Sequence, residues 1–201
     1  CFMEETGKSR LEQQLAFLME IDKMKSVSRR TMLTDLSRRE TDAEHSWHIA
    51  LMALLLAEYA GPEVDVNRVI RMALVHDLVE IYAGDTFAYD SQGKETQRSR
   101  EEEAAGRLFA LLPGGQGDEL RALWEEFDAR ETADAQFAAA VDRLQPFLNN
   151  CVTGGFTWKE GGVRSPQVYE RLDLVRQAAP QVWPAVERRI QACLEKGELE
   201  K

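Results

Sequence analysis

The stretch LVHDLVEIYAGD, from Leu74 to Asp85, sets a histidine beside an aspartate, a glutamate one helical turn later and a second aspartate just past a glycine. Ionisable groups in an apolar run are costly to bury unless something satisfies them. On a helix advancing about 100° per residue, Asp77 points about 100° from His76 and Glu80 about 40° from it, one turn higher. A divalent cation straddling His76 and Asp77 therefore leaves Glu80 close enough to address a water there without ligating the ion. This is the spatial logic of metal-assisted hydrolysis, in which the cation lowers the pKa of water and a carboxylate takes its proton.

One His-Asp pair does not complete a metal site. The chain has three histidines, and the other two, His45 and His48, fall in the first turns of the preceding helical segment. A short link between antiparallel helices brings that end near the His-Asp pair. His45 is the better-placed ligand, whereas His48, followed by IALMALLL, reads as a packing residue or a support for a ligand. A fourth ligand must be acidic and lie farther along. Asp142, alone in the apolar segment AAAVDRLQPF, wants a partner, and either a metal or an arginine would serve. Asp85 reads as a cap for the following segment or as a contact to a substrate hydroxyl.

The elements that must position these residues read as all-α, with helical periodicity broken by glycine or proline and no stretch that reads as a strand. A first helix is expected over about residues 9 to 25, with Leu11, Leu15, Leu18 and Met19 on one side. The basic connector KSVSRRTMLTDLSRRE follows. A second helix opens at TDAE, where Thr41 caps and Glu44 reaches back, and closes at Gly61-Pro62. A third is expected from Asp65 as N-cap to Gly84, with Val66, Val69, Ile70, Ala73, Leu74, Leu78 and Ile81 on its apolar face. After the loop TFAYDSQGKETQ come a helix to about Leu112, the break PGGQG, a helix over DELRALWEEFDAR and a long helix from about Thr132 to Cys151. Pro146 lies inside that last helix and cannot donate to the Asp142 carbonyl, so a kink or loosened turn is expected there. The glycine-rich loop TGGFTWKEGG leads to two terminal helices. The organisation is a single domain over 1–201, with 1–8 a leading segment outside the fold and helices in 165–201 packing on the same core.

Composition narrows the function. At 201 residues, 44% hydrophobic and 30% charged, the chain has the make-up of a globular protein with a real core and has no apolar run long enough for a membrane-spanning helix. Its 25 basic and 35 acidic residues give a net charge of −10, which opposes binding a nucleic-acid polymer but not a small phosphorylated ligand held by a local basic cluster. The three scattered cysteines form no Cys-x-x-Cys pair, and CFMEETGKSRLEQQ lacks a signal-peptide pattern, so a cytoplasmic location is expected.

The set AEHSWH, HDLVEIYAGD and VDRL resembles the HD-domain metal-dependent phosphohydrolases, and within them the 5'-deoxynucleotidase branch, over about residues 10 to 195. The resemblance implies a helical HD-domain bundle with no significant sheet, and His45, His76, Asp77 and Asp142 as ligands of one divalent ion (manganese, cobalt, magnesium, zinc or iron). It implies that Glu80 activates water, and that Asp85 contacts the sugar or supports the water. The reaction would be hydrolysis of a (deoxy)nucleoside 5'-monophosphate to nucleoside and phosphate, by a homodimer paired through helices. Arg30 in the connector and Lys94 in QGKETQ are the implied substrate contacts. The connector lacks the tryptophan or tyrosine that such nucleotidases carry behind the arginine, which keeps another small phosphate ester open as substrate. A non-catalytic helical binding protein holding metal for structure is the reading from a different class, and Glu80 argues against it.

Overall fold

The computed structural model describes residues 8–201; all but Lys8 of the leading segment expected over 1–8 lies outside the described residues. Helix α1 (Arg10–Ile21) is capped by Ser9, whose hydroxyl accepts from the Glu12 N–H while Glu12 reaches back to the Ser9 N–H. A short 3-10 turn (Asp22–Ser26) extends it. The side bearing Leu11, Leu15, Leu18 and Met19 is exposed, and the helix buries Phe17 instead.

The basic connector, expected as a loop, folds as an antiparallel hairpin of β1 (Ser28–Met32) and β2 (Arg39–Thr41), pairing Ser28 with Thr41 and Met32 with Arg39 across a bulge. Its polar sequence offers no alternation of apolar residues, so only its anchors disclose it. The Asn149 amide donates to the Met32 carbonyl at 3.0 Å, and the Thr157 hydroxyl to the Arg30 carbonyl at 3.3 Å. The hairpin delivers the chain to α2 (Asp42–Leu55), whose start is the expected capping box: the Thr41 hydroxyl accepts from the Glu44 N–H, and Glu44 accepts from the Thr41 N–H at 2.9 Å.

The single helix expected from Asp65 to Gly84 is two. Helix α3 (Val66–Val75), capped by Asp65, stops at His76, and α4 (Glu80–Ala83) follows it. Between them the backbone tightens to i−3 hydrogen bonds, Leu78 N–H to Val75 O at 3.1 Å and Glu80 N–H to Asp77 O at 2.9 Å. Tighter turns advance about 120° per residue rather than about 100°, so the expected angular separations do not hold across His76 to Glu80. Gly84, with φ +75°, ends α4 in a conformation that L side chains rarely adopt. Arg100 clamps the following turn, donating to the Ala83 carbonyl and, at 2.8 Å, to the Thr86 hydroxyl.

Asp90 caps α5 (Ser91–Phe109), accepting from the N–H groups of Gln92 and Gly93, so the expected loop over residues 86–97 is helical from Ser91 and puts Lys94 in the first turn. Helix α6 (Gln116–Ala129) leads to α7 (Ala133–Val152), which starts at its Thr132 cap and continues through Pro146 as one helix. The short α8 (Phe156–Gly161) occupies part of the expected glycine-rich loop, with Asn150 accepting from the N–H groups of Thr157 and Trp158. Helices α9 (Ser165–Ala178) and α10 (Trp183–Glu195) complete the chain, and Val168, Leu172, Val186 and Ile190 join one buried cluster with Val69, Met72, Leu108, Leu123 and Phe137. No helix among the described residues is long and apolar enough to cross a membrane.

Loss of the α2 cap should show directly. Thr41→Ala is expected to cost about 1 kcal/mol of stability, read as a lower urea midpoint at unchanged slope.

Candidate metal centre

Three elements converge on one point. His45 comes from the first turn of α2, His76 and Asp77 from the tightened segment after α3, and Asp142 from the middle of α7. The four candidate donor atoms form a tight set: His45 Nε2 lies 3.0 Å from Asp142 Oδ1 and 3.9 Å from Asp77 Oδ2, and His76 Nε2 lies 3.0 Å from Asp77 Oδ2 and 3.8 Å from Asp142 Oδ1.

Each imidazole is aimed by its other nitrogen. His76 Nδ1 lies 2.9 Å from the Ala73 carbonyl, which can only accept, so Nδ1 carries the proton and Nε2 presents its lone pair. His76 Nε2 is buried and has no hydrogen-bond partner. His45 Nδ1 is 3.0 Å from Gln145 Oε1, and the Gln145 amide donates onward to Glu40 at 2.9 Å, which fixes its orientation. Supports of this kind orient metal-bound histidines.

The electrostatics favour a cation here. Burial works against ionising Asp77, but the charges of His76 and Arg29 outweigh it and hold the carboxyl at about 2. Asp142 is likewise held well below its ordinary range, against the cost of burial, by the His45 hydrogen bond and neighbouring positive charge. Burial, and then the charge of Arg29, lower His45, while the carboxylates beside His76 outweigh burial and raise its affinity for a proton. A divalent ion satisfies the same demand. Two imidazole nitrogens and two carboxylate oxygens, with one nitrogen orphaned, fit a divalent transition ion.

Beside this set lies a second group of buried charges. Arg29, its side chain only 11% exposed, donates to Asp77 at 2.7 Å and Asp42 at 3.2 Å, with Glu40 at 3.5 Å from its Nε. Arg30 points the other way, as the period-2 alternation of a strand requires. Its side chain is 49% exposed, 3.5 Å from Glu160, and lies over the Phe87 ring. Glu80 is buried with Oε2 unpartnered, and burial, reinforced by Asp77 and Asp42, pushes its carboxyl well above the ordinary range. Burial and Asp77 also raise Asp42, to about 7. Asp42, Asp77 and Glu80 have oxygens within 4.8 Å of one another, as do His45, His76 and Asp142.

These groups open into a cavity of about 510 Å³ whose wall includes Asp85, Phe87, Tyr89, Lys94, Arg171 and Trp158. Every site residue nominated from the sequence except His45 lines it, and His45 lies behind Asp142. His48 stands apart from the cavity, 3.3 Å from the Gln145 amide. Sequence reasoning missed Arg29, Asp42, Gln145 and Arg171. Reading the connector as a strand would have separated Arg29 from Arg30, but no local signal marks Gln145 or Arg171.

Comparison with known proteins gives the family. The HD-domain family model matches residues 21–183, and the chain belongs to the HD-domain family. It is 33% identical over 135 residues to the human protein named 5'-deoxynucleotidase HDDC2, a match covering 67% of this chain. The chain spans 65% of that relative's length. A crystal structure of a predicted metal-dependent phosphohydrolase from Magnetospirillum magnetotacticum superposes with a TM-score of 0.93 at 49% identity, covering 99% of this chain and 100% of that one. An HD-domain phosphohydrolase from Listeria innocua shares the fold at 15% identity and a TM-score of 0.58, covering 89% of this chain and 98% of that one.

Gln145→Leu is expected to weaken manganese binding about 10- to 100-fold while the fold persists, read by metal titration with circular dichroism as control. A second outcome concerns pH. A carboxyl raised by folding penalises the folded state as pH climbs from its unfolded value toward its folded one, so in metal-free protein Asp42 removes stability between about pH 4 and about pH 7. Asp42→Asn should flatten that fall in chemical-denaturation series across the window.

Proposed function

We propose that this chain is a metal-dependent phosphomonoesterase that hydrolyses (deoxy)nucleoside 5'-monophosphates to nucleoside and phosphate. The observation that carries the reading is the convergence of His45, His76, Asp77 and Asp142 beside a buried, unpartnered Glu80 oxygen, at the floor of a cavity with cations on its wall. The names of the human relative and the Magnetospirillum structure support it. A bound divalent ion, whether manganese, cobalt, magnesium, zinc or iron, lowers the pKa of water and offsets charge on the phosphoryl oxygens.

The chain's own residues supply the rest. Glu80, whose Oε2 is free, takes the proton from the attacking water as the new P–O bond forms. The ester P–O bond breaks and the leaving oxygen takes up the proton that Glu80 removed from the water. Asp85, half-buried after Gly84, orients the water or accepts from the sugar hydroxyl. Arg29 holds Asp77 ionised in place, and Arg30 and Lys94 meet the substrate from the wall. Phe87, which the Arg30 guanidinium overlies at 5.2 Å, offers an aromatic surface that the connector itself lacks.

The exposed apolar residues Leu11, Leu15, Leu18 and Met19 on α1, with Trp47, Leu51, Leu54 and Leu55 on α2, support a homodimer through these helices. Neither a nucleic-acid polymer nor a membrane is part of the reading, and cysteine usage supports a cytoplasmic location.

Glu80→Gln is expected to keep its manganese and lose at least about 100-fold in phosphate release from deoxynucleoside 5'-monophosphates, and near-wild-type turnover would remove Glu80 from the reaction. Sedimentation velocity should show a dimer that Leu54→Glu splits into monomers; a wild-type monomer contradicts the pairing.

A further inference from the structure

The cations on the cavity wall are of two kinds. Arg29, Arg30 and Arg98 have carboxylate partners: Arg29 holds Asp77 and Asp42, Arg98 pairs with Glu102 and Asp128, and the half-exposed Arg30 lies 3.5 Å from Glu160, leaving it within reach of the substrate. Lys94, Arg130 and Arg143 form no ion pair among the described residues, and the one ion pair of Arg171 there is with Asp142, whose Oδ2 lies 4.0 Å from its Nη2. These four come from four places: the first turn of α5, the C-cap of α6, the residue after Asp142 on α7, and α9.

The fold brings them together. Arg143 donates to the Arg171 carbonyl at 3.3 Å, locking α7 to α9 at this point. Burial, and then the charge of Arg171, with Arg143 and Arg130 adding and the Glu170 carboxylate opposing, hold the Lys94 ammonium below its ordinary range. Like charges gathered at the mouth of a partly enclosed cavity, in a chain of net charge −10, are a standing cost that an anion relieves.

One ester phosphate does not use them all. Asp77 and Asp142 would together balance the charge of a divalent ion held at the candidate metal centre, and Arg171, 4.0 Å from Asp142 Oδ2, is the cation nearest that position for the transferred phosphate. Lys94, Arg130 and Arg143 remain unanswered, and they lie on the same cavity wall. We propose that Lys94, Arg130 and Arg143, with Arg171 bridging to the metal centre, form a second anion subsite, so that the preferred substrate is a nucleoside bearing a second phosphate besides the one removed. The proposal rests on the phosphomonoesterase reading for the position of the first phosphate.

The test is calorimetric binding to manganese-loaded Glu80→Gln protein, comparing deoxyadenosine 5'-monophosphate with deoxyadenosine 3',5'-bisphosphate and adenosine 2',5'-bisphosphate. At least one bisphosphate should bind ten-fold or more tightly than the monophosphate, with Arg143→Gln, added to that protein, bringing the ratio toward one. Lys94→Gln, on the first turn of α5, is the second variant should Arg143→Gln not fold, and it should compress the same ratio. Equal affinities for all three ligands, or a preference that neither variant moves, overturns the subsite. Phosphate release by wild-type protein is measured separately: silence on every ester with the binding ratio intact removes the hydrolase reading and leaves the subsite standing.

Discussion

The Asp77 carboxylate is the point on which the site turns. It is almost fully buried, and a buried carboxylate must be paired or bound to metal. One of its oxygens lies within 3.0 Å of both His76 Nε2 and an Arg29 guanidinium nitrogen. This sharing joins the histidine-rich group that faces α7 to the acidic group that faces the hairpin. Arg29 thus acts as a fixed internal cation beside the candidate metal centre, and its charge offsets those that Asp42, Asp77 and Glu80 bring so close together. With Arg29 absent, three neighbouring buried carboxyls would have no compensating charge, and protonation would be the remaining route to relief.

The fold serves that point in a consistent way. The hairpin exists to carry Arg29 inward, and its own polar sequence gives it little reason to fold alone; α7 holds it through Asn149. The break between α3 and α4 brings His76 and Asp77 together, with Glu80 opening the next helical turn. Helix α7 contributes Asp142 to the candidate metal centre, Gln145 to the orientation of His45, and Arg143 to the cavity wall. A single long helix supplying three such roles needs a rigid seat, and Ala138, Ala139 and Ala140 let it pack closely on its neighbours.

Much of this was legible in the residues. The His-Asp pair, the Thr41 and Asp65 caps, the long helix over 133–152 and an isolated aspartate within it all carry local signals, and the structure brings His45, His76, Asp77 and Asp142 to one place. Local periodicity is blind to what decides the remainder. The hairpin is specified by contacts to distant residues, the α3–α4 break by what the ionisable side chains gain from converging, and the exposed apolar side of α1 by the absence of a covering element within the described residues. The choice between Arg29 and Arg30 depends on strand parity, which a helical reading cannot supply.

The most direct measurement of the central claim is phosphate release from deoxyadenosine 5'-monophosphate by metal-stripped protein, titrated with manganese while bound metal per chain is counted. The account predicts negligible release without metal and a rate that saturates at one ion per chain. Full release from the stripped protein, or a rate that rises only as a second ion binds, would contradict a single site built from His45, His76, Asp77 and Asp142.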